Sequence, residues 1–292
     1  YCVRKAIMKV PWSRLIRFQA ADGRVLRGEP VLPRPNLDLG LITEADNIQA
    51  RVITGDDPYD TTGATRVTEE LVTVKRILCP LTAKDVPILR CVGLNYLKHI
   101  QQAGRAPPPF PSIFFKPTAT IVGPDDRVVI PKICQDDQAD YEGELTIVIG
   151  KDAKDVSQED ALDYVAAYTV GNDISSRKLQ RDPNYAGRLL DLYTVRLVSS
   201  ALVREPRNLH LKTTIDGQVR QDESVSDLLF DCKYLISYLS QGTTLEKGSV
   251  IMTGTPGGVG GDMKPPSWLR PGTRMEVHIS EIGTLRNEVA YA

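Results

Sequence analysis

No stretch of the chain approaches the roughly 18 consecutive apolar residues that a membrane-spanning helix needs. No pair among Cys2, Cys79, Cys91, Cys134 and Cys232 has the C-x-x-C spacing of a zinc or redox site. These five cysteines are odd in number and scattered, which fits reduced thiols in a reducing compartment. An excess of charge is missing too: 36 Lys and Arg stand against 37 Asp and Glu, so no strong field draws the chain to nucleic acid or to an anionic membrane. The partner to expect is a small molecule. The stretch "YCVRKAIMKVPWSR" lacks the hydrophobic core of a secretory signal, while its basic, acid-free character is compatible with organellar import. The expectation is a cytoplasmic protein, with mitochondrial import as the alternative. There is no internal repeat and no low-complexity tract beyond "APPPFP", a stiff loop. The glycines of "TGTPGGVGG" are followed by no Gly-Lys-Ser/Thr and sit in no Rossmann unit, so they read as tight turns and not as a phosphate loop.

What is present is ordinary globular composition, 292 residues with 41% hydrophobic and 25% charged, enough for one large domain or a main domain with an appendage. Residues 11 to 57 mix short apolar segments with Gly, Pro and Asp turns, the pattern of short strands. A boundary near residue 80 divides a small β-rich unit, 1–80, from the main unit, 81–292. Strand-like runs recur at "SIFFKP", "RVVIP", "ELTIVIG", "VAAYTVGNDI", "RNLHLKTTID", "SVIMTGTP" and "RMEVHIS". Helices are expected at "YLKHIQQAG", at "SQEDALDYVAA" behind Ser157 with Glu159 and Asp160 in the first turn, and at "SVSDLLFDCKYLISYLSQ". Strict strand-helix alternation is absent, so the fold class is a β-rich α+β arrangement.

The informative stretch is "DYEGELTIVIG", residues 140 to 150. Successive side chains of a strand face opposite ways, so Glu142 and Glu144 share one face and Tyr141, Gly143 and Leu145 the other. Two like charges side by side are costly in a buried place unless a cation or a shared proton compensates, and a divalent metal does so directly. Oxygen ligands suit magnesium, calcium or manganese better than zinc, and such an ion would want about one more carboxylate. On strand alternation alone, an edge strand with its polar face in water accounts for the two glutamates as well. Asp173, ending the apolar run "YTVGND" before Ser175, Ser176, Arg177 and Gln180, is the third acid at a strand end. By itself it would be read as a helix N-cap.

With these residues in view, the chain resembles the fumarylacetoacetate hydrolase family over roughly residues 79 to 290. The resemblance is carried, in order, by "CVGLNYLKH", "FFKPTATIVGP", "DYEGELTIVIGK", "GNDISSRKLQ", "SVIMTGTPGGVG" and "RPGTRMEVHISEIGTLRNEV". The insert "DMKPPSWLRPG" is similar to the subgroup that contains oxaloacetate tautomerases. The resemblance implies a rolled mixed-sheet catalytic domain, a homodimer, and one Mg²⁺ or Mn²⁺ on Glu142, Glu144 and Asp173. It implies substrates that are 2-oxo acids or 1,3-dicarbonyl acids, contacted or supported by Arg177, Gln180, Lys116, Thr255 and Tyr96. A metal there polarises the ketone and stabilises the enolate formed when a C–C bond breaks or a proton leaves.

Two positions depart from the family pattern. Hydrolytic members carry His-x-x-Glu on the lid helix, an i, i+3 dyad in which the acid activates the histidine. Here His99 is followed by the neutral Gln102, and no other acid occurs between Val86 and Pro124. In "YAGRLLDLY" the usual Lys after Gly187 is Arg188, which keeps a positive charge but does not shuttle protons. His99, Arg188 and Gln102 are thus the catalytic positions in question. Their chemistry leans toward decarboxylation or keto-enol exchange of a chelated 2-oxo acid over hydrolysis, unless an acid such as Asp136 or Asp137 reaches the lid. A catalytically silent protein that keeps the fold and binds a ligand or partner is the alternative. His210 and His278 alternate with apolar neighbours and read as structural.

Overall fold

Alternating apolar and polar residues between Arg14 and Leu78 fold into four antiparallel strands, β1 (Arg14–Ala20), β2 (Val25–Val31), β3 (Gln49–Thr54) and β4 (Arg66–Leu78). β1 pairs with both β2 and β4, and β3 joins the other two, so the four close into a ring. Ile16, Phe18, Ala50, Val52, Val72 and Ile77 fill it. This computed structural model describes residues 9–35, 37–102, 104–181, 192–194 and 197–292.

The chain continues through β5 (Leu89–Gly93), helix α1 (Leu97–Gln102), β6 (Ser112–Lys116), β7 (Ile121–Val122), β8 (Arg127–Ile130), β9 (Ala139–Asp140), β10 (Gly143–Ile149) and β11 (Val165–Asp173). After β12 (Ser175–Ser176) and helix α2 (Arg177–Arg181) come β13 (Leu192–Thr194), β14 (Leu197–Ser199), β15 (His210–Ile215) and β16 (Gln218–Ser224). Helix α3 (Cys232–Leu239), β17 (Val250–Met252), β18 (Arg274–Ile279) and β19 (Gly283–Tyr291) complete it. One large sheet runs β2-β3-β4-β1-β14-β11-β10-β17-β5-β6, and a second runs β16-β15-β18-β19-β8. Three pairs are parallel, β5 with β17, β7 with β13 and β8 with β19. The fold is the β-rich mixed-sheet α+β arrangement expected, with few helices. Among the described residues no helix is long and apolar enough to cross a membrane.

The second sheet lies against the first at β10 and β11, and every residue of these two strands is buried. Leu145, Ile147 and Ile149 face Leu211, Val277 and Ile279 of the second sheet. Val148 points the other way, into a cluster with Leu15, Leu89 and Cys91. Each such side chain removed from water contributes about 1.5–3 kcal/mol. The edge-strand explanation of the two glutamates therefore does not hold: β10 is central, between β11 and β17.

The expected helix at "SQEDALDYVAA" is not formed. Only a 3-10 turn at Ala161–Tyr164 appears, because Val165, Ala166 and Ala167 are drawn into β11 and its ladders with β10 and β14. In the segment from Ser224 to Gln241 the regular helix is confined to α3. Its start is set by Asp231, whose Oδ1 accepts the Tyr234 N–H at 2.9 Å.

Candidate metal centre

β10 and β11 pair antiparallel with Gly143 opposite Asn172 and Glu144 opposite Gly171, which brings the start of one strand beside the end of the other. Glu142, one residue ahead of β10, is tied in by its N–H to Asn172 Oδ1 at 3.0 Å and by its carbonyl to the Asp173 N–H at 2.7 Å. A Cβ on Gly143 would lie 2.3 Å from Thr213 Oγ1 and 2.9 Å from Val277 Cγ1. Only glycine therefore lets the second sheet close on that face, which turns Glu142 and Glu144 to the opposite one. There Glu142, Glu144 and Asp173 each offer a carboxylate oxygen, and the three oxygens lie within 4.8 Å of one another.

Burial pushes the Glu142 carboxyl up to about 7; Asp173 and Asp140 add to this, and Arg177 opposes it. Burial likewise raises Glu144 well above the usual carboxylate range, with Asp173 and Glu142 adding to it. Two cations relieve part of this repulsion. Arg177 reaches Asp140 with Nε at 2.7 Å and Glu142 with Nη1 at 2.5 Å, and buried Lys116 pairs with Asp173 while donating to the Ile174 carbonyl at 3.0 Å. Burial works against the charge of Arg177, but Glu142 and Asp140 hold it firmly protonated. Counted as fully ionised, these four carboxylates exceed the two cations by two negative charges, so ionising Glu142 and Glu144 in this buried place calls for further positive charge of the size of one divalent ion. Asp173 Oδ2 is buried with no hydrogen-bond partner among those residues, and so is Arg177 Nη2. An orphaned acceptor on the triad and an orphaned donor on the arginine that pairs with Glu142 fit a site that takes a cation together with an anionic ligand. The all-oxygen donor set suits a hard divalent ion.

The wall over the triad comes from β5, β17 and the start of α1. Asn95, fully buried, donates from Nδ2 to the carbonyls of Phe230 and Thr253 and accepts the Phe230 N–H. This pins the turn before α1 against Gly254, whose N–H donates to Glu144 Oε2 at 2.7 Å. Tyr96 is buried with its hydroxyl unpartnered among the described residues; burial, with Glu144 nearby, raises it well above the usual phenol range. His99 on α1 keeps only 12% of its side-chain surface exposed. Burial lowers its pKa, an effect opposed by Asp262 and assisted by Arg177 and Arg105.

The fumarylacetoacetate (FAA) hydrolase C-terminal family profile matches residues 89–290, a span that contains all of these groups. The chain belongs to the fumarylacetoacetate hydrolase family. A caffeoylpyruvate hydrolase of Neonothopanus nambi is 40% identical to it over 284 residues, 95% of this chain and 93% of that protein. An oxaloacetate tautomerase of Bacillus subtilis (strain 168) is 40% identical over 206 residues, 68% of each. Among solved structures, a fumarylpyruvate hydrolase from Pseudomonas aeruginosa in complex with Mn²⁺ and pyruvate matches with a TM-score of 0.63 at 29% identity. That match covers 75% of this chain and 93% of the other.

Of the positions singled out in the sequence of this fumarylacetoacetate hydrolase family enzyme, Glu142, Glu144, Asp173, Lys116 and Arg177 converge directly. Gln180 is exposed on α2 and accepts Arg177 Nη1–H at 3.2 Å. The Thr255 hydroxyl donates to the Gly143 carbonyl at 2.9 Å and accepts from Gln221 Nε2 at 2.7 Å, so it braces the start of β10. Arg188 lies outside the described residues, as does the side chain of Gln102. Asp136 and Asp137 do not reach the lid: Asp136 pairs with Lys178 at 2.5 Å and Asp137 with Arg270 at 2.8 Å. His210 and His278 sit on the second sheet, beside Asp222 and Thr284.

Sequence reading passed over Asp140, Gln221 and Asp262. Asp140 is fully buried at the end of β9 and, besides Arg177, accepts the N–H groups of Tyr141, Gly260 and Gly261. A carboxylate two residues ahead of Glu142, in the pattern Asp-x-Glu-x-Glu, was its only signal. Gln221 on β16 accepts the Gly143 N–H at 3.0 Å and ties it to Thr255.

Proposed function

We propose that this enzyme acts on a 2-oxo acid or 1,3-dicarbonyl acid that chelates a Mg²⁺ or Mn²⁺ ion held by Glu142, Glu144 and Asp173. The observation that carries this is the convergence of three carboxylates, with an Asp173 oxygen buried and unpartnered and with a buried, unpartnered nitrogen on Arg177, the guanidinium that pairs with Glu142. When bound, such an ion would polarise the 2-oxo group and lower the energy of its enolate. The chain's own residues do the rest. Arg177 takes the substrate carboxylate on Nη2 while Asp140 and Gln180 hold its plane, and Lys116 pairs with Asp173. Tyr96 and Thr255 line and brace the pocket. His99 on the lid moves the proton, with Gln102 and Arg188 assigned to the catalytic region on the resemblance alone. The reaction is C–C cleavage by decarboxylation or hydrolysis, or keto-enol exchange; hydrolysis and tautomerisation are activities that the names of its relatives carry.

We propose further that residues 1–80 and 81–292 are separate units, a reading supported by the closed ring of β1 to β4, and that the enzyme is a cytoplasmic homodimer. Sedimentation at micromolar concentration tests the dimer.

The deciding experiment measures turnover of oxaloacetate, caffeoylpyruvate and fumarylpyruvate with Mg²⁺ or Mn²⁺ against the same protein in EDTA. Metal-dependent turnover of at least one is expected, and Glu144→Gln should abolish it. Metal-independent turnover, or full activity of Glu144→Gln in excess metal, contradicts the assignment. A protein inert to all three would instead be the silent ligand-binding member of its family.

A further inference from the structure

Gln102 leaves His99 with no carboxylate on its own helix. The fold supplies one from the far end of the chain: Asp262 Oδ2 lies 3.9 Å from His99 Nε2. Arg181 on α2 steadies the other oxygen, Oδ1, at 3.3 Å. The loop that carries Asp262 is itself anchored, because Asp140 accepts the N–H groups of Gly260 at 2.7 Å and Gly261 at 2.9 Å. The same aspartate that aligns Arg177 therefore also places Asp262. Among the described residues the other acids near the lid are committed elsewhere. Asp140 is spent on Arg177 and three backbone N–H groups, Glu223 pairs with Lys98 at 2.8 Å, and Asp227 accepts the Lys98 N–H at 3.0 Å. Asp262 thus has an oxygen facing the imidazole with its partner oxygen held back. A separation of 3.9 Å suits a ligand-free site, in which catalytic hydrogen bonds are long and tighten when the lid closes on substrate.

We propose that Asp262 is the positioning residue of a His99–Asp262 dyad that replaces the missing lid glutamate, and that this dyad lets the enzyme hydrolyse acylpyruvates. The inference rests on the metal-dependent reading above and deepens it by naming the water-activating pair. With Nε2–H directed at Asp262, the imidazole keeps Nδ1 as its basic nitrogen. Nδ1 takes a proton from water as the water oxygen bonds to the distal carbonyl carbon of R–CO–CH₂–CO–COO⁻. The bond between that carbon and the CH₂ then breaks, and its electron pair passes into the pyruvate enolate. His99 returns its proton to the CH₂ carbon of that enolate, forming the methyl group of pyruvate, and the acid R–COOH departs and ionises. One water is consumed, and nothing is oxidised or reduced.

Among the described residues the charged groups that act on His99 are Asp262 on its loop, Arg177 on α2, Arg105 just beyond α1 and Asp140 at the end of β9. Burial and the two arginines keep the imidazole neutral and ready to accept a proton, and Asp262 restores part of its basicity. Asp262→Asn should therefore lower the His99 pKa and slow hydrolysis without loosening substrate binding. The expected result is a fall in kcat on caffeoylpyruvate or fumarylpyruvate on the order of 10²-fold, with KM within about 3-fold and the acid limb of kcat/KM moved to lower pH. The chain has three histidines, so the His99 titration is separable by NMR in the metal-free protein and should move the same way. Asp262→Glu should recover about a tenth or more of the wild-type rate. Asp262 keeps 44% of its side-chain surface exposed, so the melting temperature should not move with these changes.

Wild-type hydrolysis by Asp262→Asn, or slow hydrolysis with the His99 titration unmoved, overturns the dyad. A wild-type enzyme that equilibrates enol and keto oxaloacetate with Mg²⁺ but leaves acylpyruvates intact also overturns it, while the metal-dependent reading stands. Failure on both substrates, by contrast, removes that reading itself.

Discussion

Asp140 Oδ2 accepts the Nε–H of Arg177 at 2.7 Å, and through its remaining acceptor sites Asp140 binds three backbone N–H groups, that of Tyr141 just after β9 and those of Gly260 and Gly261 in the 258–262 loop. One buried carboxylate thus fixes both the guanidinium beside the metal strand and the loop beneath the lid. Asp140→Asn would keep the shape but lose the charge and turn an NH₂ group toward donors. Breaking a buried pair from one side costs about 3–5 kcal/mol. Denaturant unfolding should show a loss of that order, with KM for the substrate raised as Arg177 loses its alignment. A loss below about 1 kcal/mol would mean that Arg177 is held by Glu142 alone.

Metal binding should appear as stability. An ion that binds only the folded state at a hundred times its dissociation constant stabilises it by about 2.7 kcal/mol. Thermal melts in EDTA and in Mn²⁺ should differ accordingly for the wild type and coincide for Glu144→Gln. In EDTA the variant should be at least as stable as the wild type, because it removes a carboxylate that sits against Glu142 and Asp173. A variant that keeps the Mn²⁺ shift would place the ion elsewhere.

A different carboxylate governs acid sensitivity. Asp38 docks the segment before β3 on the hairpin of β18 and β19: it accepts the Thr284 N–H at 3.0 Å and hydroxyl at 2.7 Å and the Gly40 N–H at 2.9 Å, with His278 at 3.5 Å. Burial raises its pKa, but the side chains of His278 and Thr284 and the two backbone donors outweigh this and hold it well below the usual carboxylate range. Its contribution is therefore complete above the unfolded value near 4 and is lost as pH falls through the lower folded-state value. Asp38→Asn should cost about 1–3 kcal/mol at neutral pH. Below about pH 4 the gap between wild type and variant should shrink. A gap that widens in acid would contradict the geometry.

What the sequence discloses and what it hides divide along physical lines. Glu142 and Glu144 are legible because the two-residue period of a strand puts them on one face, and the buried run behind them marks the strand. Asp173 is legible only as an acid that ends the apolar run of β11, since by itself it reads as a helix N-cap and its place with the two glutamates comes from the family resemblance. Asp262 is not: its partner His99 lies in α1, on a distant part of the chain, and only the docking of the 258–262 loop on Asp140 brings them together. Asp140 was masked by its neighbours, since an acid ahead of an acidic strand looks like part of a turn. The helix expected at "SQEDALDYVAA" shows the opposite error. Its local signals for a helix are sound, but Val165 to Ala167 gain more from two sheet ladders than a helix could return.

The last prediction concerns the backbone that faces the triad. Gly254 has a φ of 96°, a conformation that side-chain-bearing residues rarely adopt, and a Cβ there would lie 2.8 Å from Asn95 Cβ and 3.0 Å from the Val92 carbonyl oxygen. Asn95 cannot retreat, since its amide is bonded to Phe230 and Thr253. Gly254→Ala must therefore push its own peptide, which carries the N–H bonded to Glu144 Oε2. Strain of this kind costs about 1–3 kcal/mol. The shifted N–H should also weaken Mn²⁺ binding, because it releases the carboxylate from the position that the triad needs. Calorimetric titration of Mn²⁺ into Gly254→Ala should give a dissociation constant raised about tenfold or more, the effect expected when a group holding a metal ligand is lost. An unchanged constant in a destabilised variant would show that β10 alone positions Glu144, and that the glycine serves only the close passage of Asn95.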